Sequence, residues 1–273
     1  MRKNILVILA ASLAFFVSAA PVRSAILRVP ETYKTIQSAV ANAADNDLII
    51  IGKGSYKENI VIKKPLQLRS AKGAEATVVT AANKAEPVFK IDGATNVLIS
   101  GFTATGSDTA GISLNNATFC RIANNILTGN ANGLMSYASN KNTISENTAS
   151  FNAQYGIYLE TSNYNNVSYN AANSNGDKGI LLSSSSANTV VGNDANLNAW
   201  NGIVLWASHG NQIKENKALR NTYAIVMGDS DDNEVSNNST WPNLFVILPI
   251  ILVYLGIVNY LVQKNIMKLM YKA

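Results

Sequence analysis

The stretch GIYLETSNYNNVSYNAANSNGDK at 156–178, followed directly by GILLSSSSANTVVGNDANLNAWN at 179–201, decides the fold. Laid one under the other, the two segments superpose Gly156-Ile157-x-Leu159 on Gly179-Ile180-x-Leu182. They also superpose Asn165 on Asn188, Val167 on Val190, Asn170 on Asn193 and Asn175 on Asn198. Outward from this pair, Gly111-Ile112, Gly133-Leu134, Gly202-Ile203 and Ala224-Ile225 complete the first column, in steps of 22, 23, 23, 23 and 22 residues. The apolar column Ile122, Ile144, Val167, Val190, Ile213, Val235 keeps the same steps. Three asparagine columns run in phase with it, from Asn125 to Asn238, from Asn130 to Asn221 and from Asn142 to Asn233.

A period of this length suits either a leucine-rich repeat or one coil of a β-helix. The leucine pattern is missing, and asparagine supplies 27 of the 128 residues from Gly111 to Asn238. Asparagine and glycine disfavour helix interiors and favour turns. Between them lie short apolar alternations such as Ile157-x-Leu159 and Ile203-x-Leu205, the period of a strand. Equivalent side chains of successive coils would stack about 4.8 Å apart. Asparagine amides could then hydrogen-bond along each column and accept the left-handed backbone of a tight corner. The expectation is an all-β chain, a right-handed single-stranded parallel β-helix, with its asparagines structural.

The repeats have a beginning. TYKTIQSAVANAA at 32–44 puts Ile36, Ala39, Val40 and Ala43 on one helical face, as expected of a cap helix over the open end of a solenoid. Strands are expected at 48–51, 60–62 and 66–68, with Gly52 and Gly54 at a turn, then at 78–79, 88–91 and 97–99. The β-helix ectodomain is therefore placed at 26–240. Before it, Arg2 and Lys3 precede an apolar run at 5–17 and small residues at 18–20, the order of a secretory signal peptide, assigned to 1–25. After it, LFVILPIILVYLGIVNYLV at 244–262 carries no charge and as a helix would reach roughly 28 Å, enough for a single membrane span. Lys264, Lys268 and Lys272 follow, so 263–273 is expected to be a basic cytoplasmic tail. The ectodomain is then extracellular or periplasmic, on a single-pass anchor in the cell membrane.

The formal net charge of +5 resides in these ends. Six of the 22 basic residues are Arg2, Lys3, Arg23, Lys264, Lys268 and Lys272, whereas all 17 acidic residues lie between Glu31 and Glu234. The ectodomain is near neutrality, which removes the electrostatic case for a nucleic-acid partner. Cys120 is the single cysteine, so intrachain disulfides are excluded and stability rests on burial and stacking.

The segment YKTIQSAVANAADNDLIIIGKGSYKENIVIKKPLQL at 33–68 resembles the opening of pectin-lyase-like β-helix proteins, and the G-I-x-L…N-x-I…N repeats look like those of the NosD-type family. The resemblance implies the fold across roughly 29–238. It also raises two alternative functions, a carbohydrate-active lyase or hydrolase and an accessory role in periplasmic copper-site maturation. The residues do not supply either chemistry. No lyase motif surrounds Arg220, His209-Gly210 lacks the preceding glycine of the polygalacturonase motif, and no carboxylate pair is placed to flank a glycosidic bond. The copper-type ligands His209, Cys120, Met135 and Met227 fall in different coils and columns. The chain is read as non-enzymatic, with no cofactor. Asp229, Asp231, Asp232 and Glu234 are the one acidic cluster, weighed as a weak calcium site against a solvated corner.

One surface invites a ligand. With Ile157 and Leu159 inward, Tyr158 and Glu160 point outward. Stacking extends them into the columns Met135, Tyr158, Leu181, Val204, Val226 and Tyr137, Glu160, Ser183, Trp206, Gly228. This apolar and aromatic stripe is expected to bind a polysaccharide or a cell-envelope partner, with Met135, Tyr137, Tyr158, Glu160, Leu181 and Trp206 as contact residues.

Overall fold

The computed structural model describes residues 24–241 and, nearer the C-terminus, residues 253, 255–262 and 264. From Ile26 to Trp241 the chain winds as a right-handed parallel β-solenoid. Three sheets run along its axis. The base sheet has ten strands, from Ile26–Val29 to Glu234–Ser236. The front sheet has eight, from Ile60–Ile62 to Tyr223–Gly228. The side sheet starts with four strands, from Gly54–Lys57 to Ile126–Leu127. It thins to single bridges through Thr148, Ala171 and Asp194, then closes with the pair Lys217–Leu219 and Ser239–Trp241. Every pairing is parallel, and the register puts each residue on its periodic equivalent, as Ile157 on Ile180 and Ile180 on Ile203.

Inward positions form one continuous core. Ile157, Leu159, Val167, Ile180, Leu182, Val190, Ile203, Leu205 and Ile213 are all fully buried, each contributing about 1.5–3 kcal/mol by leaving water. Phe89 and Phe102 fill the less regular early coils, ring centroids 5.3 Å apart.

The asparagine columns are hydrogen-bonded ladders. Asn147 Nδ2 donates to Asn170 Oδ1 at 3.0 Å, Asn170 to Asn193 at 3.0 Å and Asn193 to Asn216 at 2.9 Å. The other Nδ2 hydrogen turns back to a carbonyl of the preceding coil, as Asn170 to Ile144 O at 2.9 Å. Cys120 heads the Asn142 column, its N–H donating to Asn142 Oδ1, and burial pushes its thiol pKa up. A further ladder, of serine, runs along the solenoid. The N–H groups of Ser139, Ser162, Ser185 and Ser208 each donate to the hydroxyl one coil on, all at 3.0 Å.

One expectation about the corners is corrected. The ladder asparagines are not the left-handed residues; the residue before each one is. Glu146, Tyr169 and Glu215 have φ near +57° ahead of Asn147, Asn170 and Asn216, and Phe151, Ser174 and Leu197 do the same ahead of Asn152, Asn175 and Asn198. The left-handed residue turns its side chain out to solvent, which is why Phe151 is 70% exposed. The asparagine that follows points in and satisfies the backbone of the bend.

The glycine column has a steric cause. A Cβ on Gly156 or Gly179 would sit 2.7 Å from the carbonyl oxygen of the next glycine, and one on Gly202 as close to Ala224 O. Ala224 itself, in the last coil, has no described coil beyond it and keeps its methyl.

The cap helix is shorter than the expected 32–44, running Ile36–Asn42 with Ile36, Ala39 and Val40 buried. Thr35 and Ser38 form a capping box, and Glu58 accepts from the N–H groups of Ile36 and Gln37, both at 2.9 Å. Gln37 Oε1 in turn accepts from Val61 N–H at 2.8 Å. Those contacts explain the T-I-Q and E-N-I motifs. Gly54, expected at a turn, opens a side-sheet strand instead.

The expected signal peptide lies outside the described residues except for Ser24 and Ala25. Ala25 is tied into the first coil, its N–H donating to Asp47 Oδ1 at 2.7 Å. Residues 253, 255–262 and 264 are helical, but among the described residues no helix is long and apolar enough to cross a membrane. The rest of the expected span at 244–262, and all of the tail at 263–273 but Lys264, lie outside them.

Candidate functional site

The outward stripe stands in register on the front sheet. Met135 pairs with Tyr158, Tyr158 with Leu181, Leu181 with Val204 and Val204 with Val226. Beside it Tyr137, Glu160, Ser183, Trp206 and Gly228 form the second column. Tyr137 and Trp206 are 46% and 55% exposed. Leu181, expected as an exposed contact, is 8% exposed, and Val204 only 6%. The stripe is thus a shallow floor between raised aromatic groups.

Tyr158 is half-buried beside its register partner Leu181, with the Glu160 carboxylate as its charged neighbour. Burial, and then the Glu160 carboxylate, push the Tyr158 phenol up to about 12. Trp206 leans over its register partner in the next coil. A Cβ on Gly228 would lie 2.5 Å from the Trp206 ring, so glycine there makes room for the indole.

The structure adds neighbours that the stripe did not include. Tyr155 meets Tyr158 edge-on, ring centroids 5.3 Å apart. Lys178 Nζ sits 5.2 Å from the Tyr155 centroid and 2.8 Å from Asp177 Oδ1. With Trp200, 58% exposed, these residues form a rim along the leading edge of the front sheet. A signal for the rim was present in coil length. From ladder asparagine to glycine the chain takes three residues at Asn130–Gly133 and Asn221–Ala224, but four at Asn152–Gly156, Asn175–Gly179 and Asn198–Gly202. The extra residue of every 23-residue coil falls on this rim. Next to it an open groove of ≈ 640 Å³ follows the corner past Asp108, Phe151, Ala153 and Gly176.

The remaining candidates do not converge. Among the described residues no group of three or more His, Cys, Asp or Glu side chains could hold a metal ion. Asp229, Asp231, Asp232 and Glu234 spread around the last corner, where Glu234 pairs with Lys214 at 2.7 Å. His209 Nδ1 accepts from Asp231 N–H at 3.0 Å. Cys120 is buried at its corner, far in sequence and coil from Met227.

Comparison with known proteins agrees with this architecture. Residues 88–240 match the family described as a right handed beta helix region. A curated relative, the "Cell surface glycoprotein" of Methanothermus fervidus, is 33% identical over 124 residues, which is 45% of this chain and 20% of that protein. The chain therefore spans about a fifth of the length of the curated relative it matches. Among solved structures, a periplasmic alginate epimerase, AlgG, is similar at a TM-score of 0.54 and 15% identity, over 72% of this chain and 68% of that one. ORF18 of Geobacillus virus E2 is similar at 0.52 and 14%, over 75% and 56%. At such identities these two likenesses show the fold alone.

Proposed function

The chain belongs to the right-handed β-helix family, and from that premise we propose that it is a cell-surface protein that holds an extended polysaccharide along its front sheet, anchored in the membrane through 244–262. The observation that carries the reading is the relief of that sheet: a floor of Leu181 and Val204 between Tyr158, Trp206 and Tyr137. Aromatic rings beside an apolar floor suit the faces of sugar rings, and the coil spacing of about 4.8 Å offers a repeating ligand a repeating surface. The surface location draws support from the name of the Methanothermus relative, and the anchor from the uncharged run at 244–262.

The face is read as binding rather than catalytic because two of its titratable groups, Lys178 and Tyr158, are poorly suited to proton transfer. Lys178 is held on Asp177, and a phenol at about 12 is a poor proton acceptor near neutrality. The deciding experiment is a glycan array probed with the full chain in detergent, with Tyr158→Ala and Trp206→Ala in parallel. Binding that both substitutions weaken supports the reading. Retention of no glycan by the unaltered chain removes it, and release of shortened or unsaturated product from a bound polymer makes the face an active site.

A further inference from the structure

The last coil turns the interior of the solenoid outward. Ile203, Leu205, Ile213 and Ala218 are fully buried, yet their register partners Ile225, Met227, Val235 and Thr240 are not. Met227 is 49% exposed and Val235 41%. Trp241 stands exposed on the same edge, and a hollow of ≈ 360 Å³ opens among Ala224, Ile225, Val235, Asn238 and Thr240. The opposite end is closed by the helix Ile36–Asn42. Solenoids need both ends covered.

The sequence limits what can reach this end. Two residues, Pro242 and Asn243, separate Trp241 from the apolar run that begins at 244. Three Cα–Cα steps span at most about 11 Å. Trp241, at the open end of the solenoid, therefore stands within about 11 Å of the first residue of that run. Three of its exposed apolar positions lie on the three different sheets, Met227 on the front, Val235 on the base and Trp241 on the side, so they ring the whole cross-section. Within the last coil the charged side chains are all acidic, although Glu234 is paired with Lys214 of the coil before it. Asp229, Asp231, Asp232 and Glu234 fall in this coil, with no lysine or arginine from 221 to 241.

We propose that the open end docks on the electroneutral headgroup layer of the membrane that holds residues 244–262, lipid taking the place of a terminal cap. The inference rests on the anchoring reading above and adds an orientation to it: the solenoid stands on its last coil, and the front sheet rises away from the bilayer. Apolar side chains such as Met227 and Val235 enter the headgroup–acyl boundary, with Trp241 at the depth that indole rings favour. Asp229, Asp231 and Asp232 repel an anionic surface, Glu234 being paired with Lys214.

The test uses the full chain, one copy per phosphatidylcholine nanodisc, with brominated acyl chains as quenchers. Trp200, Trp206 and Trp241 are replaced by Phe, and a single tryptophan is returned at position 241, as Met227→Trp, as Val235→Trp, or as Phe119→Trp on a corner five coils nearer the cap. Docking predicts loss of emission at 227, 235 and 241 and none at 119. It also predicts a smaller loss at 227 and 235 when phosphatidylglycerol is added. Loss at 241 alone means a tether without docking and overturns the proposal. Blue-shifted but unquenched emission at 227 means that protein, from this chain or another, covers the end, and overturns it as well. Loss that phosphatidylglycerol does not reduce overturns the electroneutral assignment. A chain that elutes apart from the discs overturns the anchor itself, and the docking with it.

Discussion

Asn170 gives both of its forward donors to one atom: its backbone N–H and its Nδ2 reach Asn193 Oδ1 at 2.9 and 3.0 Å. Asn147 does the same to Asn170. Each rung therefore satisfies a backbone group that the bend would leave buried and unpaired.

Asn170→Ala strips the acceptor from two donors of Asn147 and the donor from Ile144 O. The expected cost is about 2–4 kcal/mol, read as a lower midpoint in urea denaturation. Asn170→Asp is expected to cost at least as much, because a buried carboxylate would face Asn193 Oδ1. A corner residue behaves oppositely. Phe151→Asn, at φ +59° and exposed, is expected to leave the midpoint within about 0.5 kcal/mol of the parent or to raise it.

Gly179→Ala places a methyl 2.7 Å from Gly202 O. Backbone must move to relieve that contact, and a loss of about 1–3 kcal/mol is expected. Ala224→Gly, where no described coil follows, is expected to cost only the strand penalty of glycine, about 0.5–1 kcal/mol. Equal losses at the two sites would refute the steric account of the column.

Glu58→Ala removes the carboxylate that accepts from Ile36 and Gln37 at the start of the cap helix. Loss of such a cap is expected to cost about 0.5–2 kcal/mol. Faster amide exchange should appear first in residues 36–42, ahead of the central coils.

The Tyr158 phenol carries a pH prediction. Its folded pKa is raised from 10.0 to about 12, so between those values the unfolded chain loses this proton while the folded chain keeps it. Stability is therefore unaffected by this group below pH 10 and falls as pH rises from 10 towards 12. Urea midpoints across that window should decline less steeply for Tyr158→Phe than for the parent. Parallel declines would show that another group is responsible.

The frame was legible because every coil restates it. Gly156, Val167 and Asn170 each have equivalents one period away, and stacking turns such columns into register directly. The cap helix was legible for a different reason, since Ile36, Ala39 and Val40 share a helical face. The site was legible in outline only. Tyr158 and Trp206 stand on the outward face that alternation predicts, but no column records how deeply Leu181 and Val204 sit among their outward neighbours. Tyr155, Asp177 and Lys178 stayed out of view because the outward residues of the rim do not repeat in type. Asparagine suits both the left-handed and the inward position of a corner, and only the backbone angles separate them.

The four-residue links at Asn152–Gly156, Asn175–Gly179 and Asn198–Gly202 have a consequence for how such a chain can change over generations. Adding one residue anywhere between a glycine and the ladder asparagine that ends its coil would throw at least one ladder out of phase with its neighbours. In the link itself a residue can come or go and leave every ladder intact. That link borders the front sheet, so small insertions there can reshape the rim of that sheet while the frame stays unaltered.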